Sequence, residues 1–249
     1  MYQRPLRFNL LPDVIKNLLI INGLFFVATF VIANVFNIDL GRILGLYIPA
    51  SDHFQPYQLI THMFMHGSIT HIFFNMFALW MFGYTLENIW GPKRFLIYYM
   101  ITGLGAALLH LGVNYWEFWS IKDQITDSQL QDILINGQDV LLSGRNYSDA
   151  ILAKANLILN TPTVGASGAV FGVLLAFGMM FPNQYIYIYF ALPIKAKYFV
   201  AIYGALELWN GIMNDPDSNI AHFAHLGGML FGYLLITYWR KSSRGNNYY

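Results

Sequence analysis

Long runs without a single charge constrain this chain more than any other feature. Such runs extend from Asn17 to Ile38, His53 to Leu86, Phe95 to Trp116, Ala155 to Ile194 and Ser218 to Trp239, and Tyr198 to Gly211 is broken only by Glu207. A bilayer core roughly 30 Å thick is crossed by about 20 apolar residues in a helix. The second and fourth runs exceed one crossing. Their helices are expected at 69–88, after a re-entrant or interfacial loop, and at 165–182, which gives six spans. With 56% hydrophobic and 11% charged residues, the chain is too apolar for one soluble core. The expected class is an all-α polytopic membrane protein, one domain over 1–249 with an insertion at about 117–160.

Composition removes several functions. A net charge of +1 with no clustered basic face gives nucleic acid nothing to bind. The lack of cysteine excludes disulfides, thiolate metal sites and a cysteine nucleophile. No cofactor or metal is implied. The first apolar run lacks a small-residue cleavage signature, so it is read as a span rather than a cleavable leader.

Basic residues orient the spans, because cytoplasmic loops retain Lys and Arg. Arg4, Arg7, Lys16, Lys93, Arg94, Lys195, Lys197, Arg240, Lys241 and Arg244 share one side in a six-span plan. The other side holds Arg42, Lys122, Arg145 and Lys154 with most of the acidic residues. Both termini are therefore expected in the cytoplasm, and the bilayer is expected to be a bacterial inner membrane. The outer side carries a loop at about 37–58, the long 117–160 segment and the turn Asn214-Asp215-Pro216-Asp217-Ser218. Apolar residues at helical spacing in the long segment, Leu130-Ile133-Leu134 and Ile151-Leu152-Leu157-Ile158, fit one or two amphipathic helices; a disordered loop is the competing reading.

Polar groups inside the spans mark the chemistry, since they are costly in hydrocarbon unless they pair or react. His71 and Asn75 stand one turn apart and can aim two donors at a single point. They can equally bond neighbouring helices. His62 and His66 are also four apart, but with no carboxylate nearby they do not make a zinc set and are expected to pin the loop. Gly165-Ala166-Ser167-Gly168, with Gly172 beyond, opens the fourth span with small residues for close helix approach and with free N–H groups at a helix start. The bland alternative is a packing motif. In the sixth span, Gly232 lies about 20° and Gly228 about 60° from the direction of His225 around the helix. His225 thus shares the face that can press on Gly168 and Gly172. His222 lies about 80° from Gly232 and about 120° from Gly228, so His225 is the better base. No carboxylate obviously orients it, Glu207 being placed toward the outer part of the fifth span. The economical reading is a dyad: Ser167 Oγ as nucleophile, His225 as general base and then acid, with His71, Asn75 and the Ser167 N–H facing the oxyanion.

These residues resemble the rhomboid family of intramembrane serine proteases. His66 and His71-x-x-x-Asn75, Gly165 to Gly168, and Ala224-His225-x-x-Gly228-x-x-x-Gly232 match in order and on the expected helices, over about residues 50–112 and 163–238, with Glu87-Asn88-Ile89-Trp90-Gly91 similar to the family's turn after the second helix. The resemblance implies a six-helix rhomboid-like bundle and a water-filled cavity open to the outer face. It implies cleavage of single-pass transmembrane protein substrates within the lipid bilayer, with Ser167 and His225 as the dyad and His71 and Asn75 in the oxyanion hole. It also implies substrate entry between the second and fifth helices, past Phe199, Tyr203, Leu206 and Glu207. Phe171 takes the place of the aromatic that stacks on the catalytic imidazole. The Trp-Arg pair that many members carry in the first outer loop reads Tyr57-Gln58 here, which leaves that loop's contacts unexplained. Two other readings compete: a catalytically inactive rhomboid-like client-binding protein, which normally lacks the serine or histidine, and a proton-relay transporter, against which the lack of an evident repeat or buried acidic chain argues.

Overall fold

The computed structural model describes residues 9–188, 191–213 and 221–245. The expected outer turn at 214–218 and the basic residues Arg4 and Arg7 lie outside the described residues. Helix α1 runs Asp13–Phe36, followed by a short α2 at Leu40–Leu44 and the turn α3 at Gln58–Thr61, which continues as a tighter turn over His62–Phe64. Then come α4 Ile69–Trp90, α5 Pro92–Lys122, α6 Asp127–Leu142, α7 Ala150–Asn160 and α8 Ser167–Met180. A two-stranded antiparallel hairpin, β1 Tyr185–Ile188 with β2 Leu192–Lys195, precedes α9 Ala196–Met213 and α10 His222–Gly245. The six elements α1, α4, α5, α8, α9 and α10 stand where the six spans are expected and pack into an all-helical bundle. By length and hydropathy alone, α1, α4 and α5 qualify as membrane-crossing.

Helix lengths explain the layout. At 1.5 Å per residue, the 31-residue α5 is about 46 Å long, well beyond a core of roughly 30 Å, whereas the 14-residue α8 is about 21 Å. The short α8 sits centrally against α4, α5, α9 and α10, and all but four of its residues are buried. The surplus length of α5 carries the insertion. It forms two helices, α6 and α7, rather than a disordered loop, and it begins after Lys122 because α5 runs six residues past the expected end. Thr126 caps α6 through a reciprocal bond pair with Gln129, and Asp149 accepts from the first turn of α7. The apolar faces of both bury Ile133, Ala155 and Leu159 against Leu46, Ile48, Leu111 and Phe118.

Polar side chains tie chain segments together at two places. Glu87, at the foot of α4, accepts the Val14 and Ile15 N–H groups at 2.9 Å each, satisfying two orphan donors at the start of α1. Asn88 exchanges bonds with Asn9 beside it. At the start of α3, Gln58 is 1% exposed. Its amide donates to the Ile43 and His53 carbonyls and accepts from the Gln55 and Tyr47 N–H groups. The neutral residue at the family's arginine position therefore still organises the loop. The β hairpin was not expected: its Tyr-Ile-Tyr-Ile run has strand character, but it lies inside one uncharged stretch that reads as the continuation of a span.

Candidate active site

Three local features bring Ser167 into place. Gly165 adopts φ +131°, a conformation open to glycine at little cost, and its N–H bonds the His62 carbonyl at 2.9 Å. The chain then turns into α8, with Ser167 as its first residue. A Cβ on Gly165 would lie 2.9 Å from the His71 ring, so the imidazole covers the glycine directly beside the serine. His71 is held in the first turn of α4 by Ser68, whose hydroxyl accepts the His71 N–H at 3.1 Å.

Across from Ser167, α10 approaches so closely that a Cβ on Gly228 would fall on the Gly168 carbonyl oxygen. This contact sets His225, one turn earlier, against the serine: His225 Nε2 lies 2.9 Å from Ser167 Oγ, within hydrogen-bond distance. Phe171, one turn into α8, stacks on the His225 ring at 4.0 Å between centroids and 8° between planes. The second pair of small residues behaves differently from the expected seam. Gly172 faces Thr102, and Gly232 faces the hydroxyl of Tyr98, which donates to the Gly172 carbonyl at 2.7 Å. Helix α5 thus fills the space beside Gly172 and Gly232, and the tight glycine-to-backbone approach of α8 and α10 is at Gly168 and Gly228.

The other residues expected at the site gather around His71. Asn75 is buried and uses one of its two N–H bonds on the His71 carbonyl at 3.0 Å. His66, 4% exposed, packs edge-on against His71 at 5.0 Å. Neither of its ring nitrogens has a hydrogen-bond partner among the described residues, so it supports His71 by packing rather than pinning the loop by bonding. His62 does bond the loop, through Nδ1 and the Gln58 carbonyl at 2.8 Å. Below the serine, a cavity of about 20 Å³ is lined by His62, His110, Thr163 and Ser167 among apolar neighbours. That is room for one water beside several polar groups.

One expectation needs correcting. The dyad reading left His225 without an orienting carboxylate, yet Glu207 Oε2 lies 2.9 Å from His225 Nδ1 and 2.6 Å from His222 Nδ1. Glu207 is 5% exposed and faces the bundle interior, so it is no gate side chain, whereas Tyr203 and Leu206 on the same helix are exposed. Its signal in the sequence was its position as the lone charge in an apolar run. What spacing along α9 could not supply was the partner on α10. Among the described residues, Glu207, His222 and His225 are also the one group of three donors near enough to share a metal ion; mutual hydrogen bonding accounts for all three atoms.

A model of the rhomboid domain matches residues 53–242. The chain belongs to the rhomboid family. Its rhomboid relatives include the Arabidopsis thaliana RHOMBOID-like protein 12, mitochondrial, 28% identical over 87% of this chain and 55% of the relative. Another is Rhomboid protein 1, mitochondrial, of Saccharomyces cerevisiae, 28% identical over 74% of this chain and 42% of the relative. Rhomboid protease AarA of Providencia stuartii is 27% identical over 70% and 52%. The chain spans about half the length of these curated relatives. They are mitochondrial as well as bacterial, so family membership gives an integral membrane protein without fixing which membrane.

Proposed function

We propose that this chain is an intramembrane serine endopeptidase that cuts single-pass transmembrane proteins near the outer face of the bilayer. The observation that carries the reading is the 2.9 Å contact between His225 Nε2 and Ser167 Oγ at the start of a buried helix. The Ser167 proton passes to Nε2 as Oγ bonds the scissile carbonyl carbon, and the carbonyl π electrons move onto oxygen. The Ser167 N–H, His71 and Asn75 meet that oxyanion. The imidazolium then gives its proton to the departing amine. Water repeats the sequence on the acyl-enzyme, and the small polar cavity beneath Ser167 is suited to hold it.

A substrate helix satisfies its own backbone hydrogen bonds, so the bond to be cut must first unwind. Substrates with Gly, Pro or small polar residues near the cut are favoured. Entry is placed along α9, where Tyr203 and Leu206 are exposed, and trimming Leu206 is expected to speed cleavage. Both termini are assigned to the cytoplasmic side. The inactive client-binding alternative loses ground because serine, histidine and both candidate oxyanion donors are all present.

Purified protein in liposomes with a transmembrane test substrate decides the matter. Cleavage should vanish in Ser167→Ala and His225→Ala and fall by about 10² to 10³ in Asn75→Ala. Cleavage by Ser167→Ala at the wild-type rate refutes the proposal.

A further inference from the structure

Glu207 is left over by the chemistry above. It is a carboxylate buried in a membrane helix, and isolated charges there are strongly disfavoured. Two imidazole nitrogens converge on one of its oxygens, His225 Nδ1 at 2.9 Å and His222 Nδ1 at 2.6 Å. The two rings stand nearly perpendicular, at 86° with centroids 6.4 Å apart, so each approaches that oxygen from its own direction.

We propose that Glu207 is the positioning residue of the site and His222 its clamp, so that the Ser167–His225 pair works with its imidazole oriented and charge-balanced by a carboxylate of this chain. The inference rests on the protease reading. A carboxylate facing Nδ1 demands a proton there, and the tautomer of an imidazole is set by the bond its other nitrogen makes. With Nδ1 protonated, the lone pair on Nε2 points at Ser167 Oγ, as a general base requires. When Nε2 takes the serine proton, the imidazolium forms beside a negative charge already in place. Glu207 takes no proton itself; it fixes the ring and stabilises its charged form. His222 Nδ1 holds the same carboxylate oxygen at 2.6 Å, and Phe171 closes one face of the His225 ring. The ring is thus defined by three contacts: the serine, the carboxylate and the stack.

The test separates positioning from a gating or purely structural role, because α9 also carries exposed side chains at the assigned entry. Wild type, Glu207→Gln, Glu207→Asp and His222→Gln are reconstituted in liposomes. Three quantities are read: kcat and KM on a transmembrane substrate, the rate at which a small fluorophosphonate labels Ser167, and the thermal midpoint. Glu207→Gln is nearly isosteric, but its amide can present N–H to Nδ1 and favour the wrong tautomer. It should lower kcat and the labelling rate together by about tenfold or more, within the range of general acid–base catalysis, with KM nearly unchanged. Glu207→Asp should recover part of the loss, and His222→Gln should show a smaller loss of the same kind. If Glu207→Gln unfolds, the labelling rates of Glu207→Asp and His222→Gln carry the decision. Wild-type labelling in the variants that fold, or an effect confined to KM, overturns the inference. Should Ser167→Ala still cleave, the protease reading fails first; should wild type cleave through Ser167 while Glu207→Gln matches it, only the positioning role of Glu207 fails.

Discussion

Replacing Gly228 with alanine tests how narrow the tolerance of the site is. The added carbon would overlap the Gly168 carbonyl oxygen, a backbone atom that cannot rotate away. Restoring an ordinary carbon–oxygen contact requires α8 and α10 to part by more than about 1 Å, since overpacking of a close contact is relieved by backbone shifts. His225 lies one turn from Gly228, so most of that displacement reaches the imidazole and stretches the 2.9 Å Nε2–Oγ contact to about 4 Å, outside hydrogen-bond range. Overpacking costs about 1–3 kcal/mol of stability, and misplacing reacting groups by about 1 Å costs on the order of 10²-fold in rate. Activity should therefore fall much further than folding. The assay pairs cleavage of a transmembrane substrate in liposomes with thermal unfolding, using Gly112→Ala as control, because a Cβ there meets nothing within 4 Å. Near-wild-type turnover in Gly228→Ala would show that the helix contact does not set the distance between serine and histidine.

Further outcomes follow from other parts of the fold. Glu87→Ala removes the acceptor for the Val14 and Ile15 N–H groups, and should lower stability by about 0.5–2 kcal/mol, as loss of a helix cap does, with turnover per folded molecule unchanged. Gln58→Ala orphans backbone groups in the segment between α2 and α3. At about 1–3 kcal/mol for an unsatisfied buried group, amide exchange should accelerate over residues 43–58 before the rest of the molecule opens. Phe171→Ala deletes the ring stacked on His225, an interaction of about 0.5–1.5 kcal/mol beyond burial, and should reduce kcat more than it raises KM. In the α6–α7 pair, hydrogen bonds from Asn136 and Tyr147 hold Asp132 below the usual carboxylate range, while burial and then the bond to Asp132 push Tyr147 up to about 12. A depressed carboxylate stabilises above its unfolded pKa and loses that contribution as pH falls through the folded one. A raised phenol stabilises below its unfolded pKa and loses that as pH rises toward about 12. Amide protection of residues 127–160 should accordingly drop at both extremes, and a flat profile would speak against the Asp132–Tyr147 bond.

The sequence by itself determined the solvent and the broad plan. Runs as long as Asn17 to Ile38 cannot be hidden in a soluble core of this size, and the spacing of charges sets where helices stop. It also determined Ser167, His225, His71 and Asn75 as candidates, because polar groups are rare in such runs and each stands out. The helical phase of Gly228 correctly put one close contact on the His225 face, since that phase is a local property. Three things were settled by tertiary structure alone. Glu207 meets His225 across two helices, and no periodicity along α9 encodes a partner on α10. Gly172 and Gly232 receive Thr102 and Tyr98 from α5 instead of each other, because which neighbour fills a groove depends on how three helices pack at once. Gln58 organises the segment between α2 and α3 through four backbone groups that become neighbours only after the chain has folded back, so their geometry was invisible in one dimension.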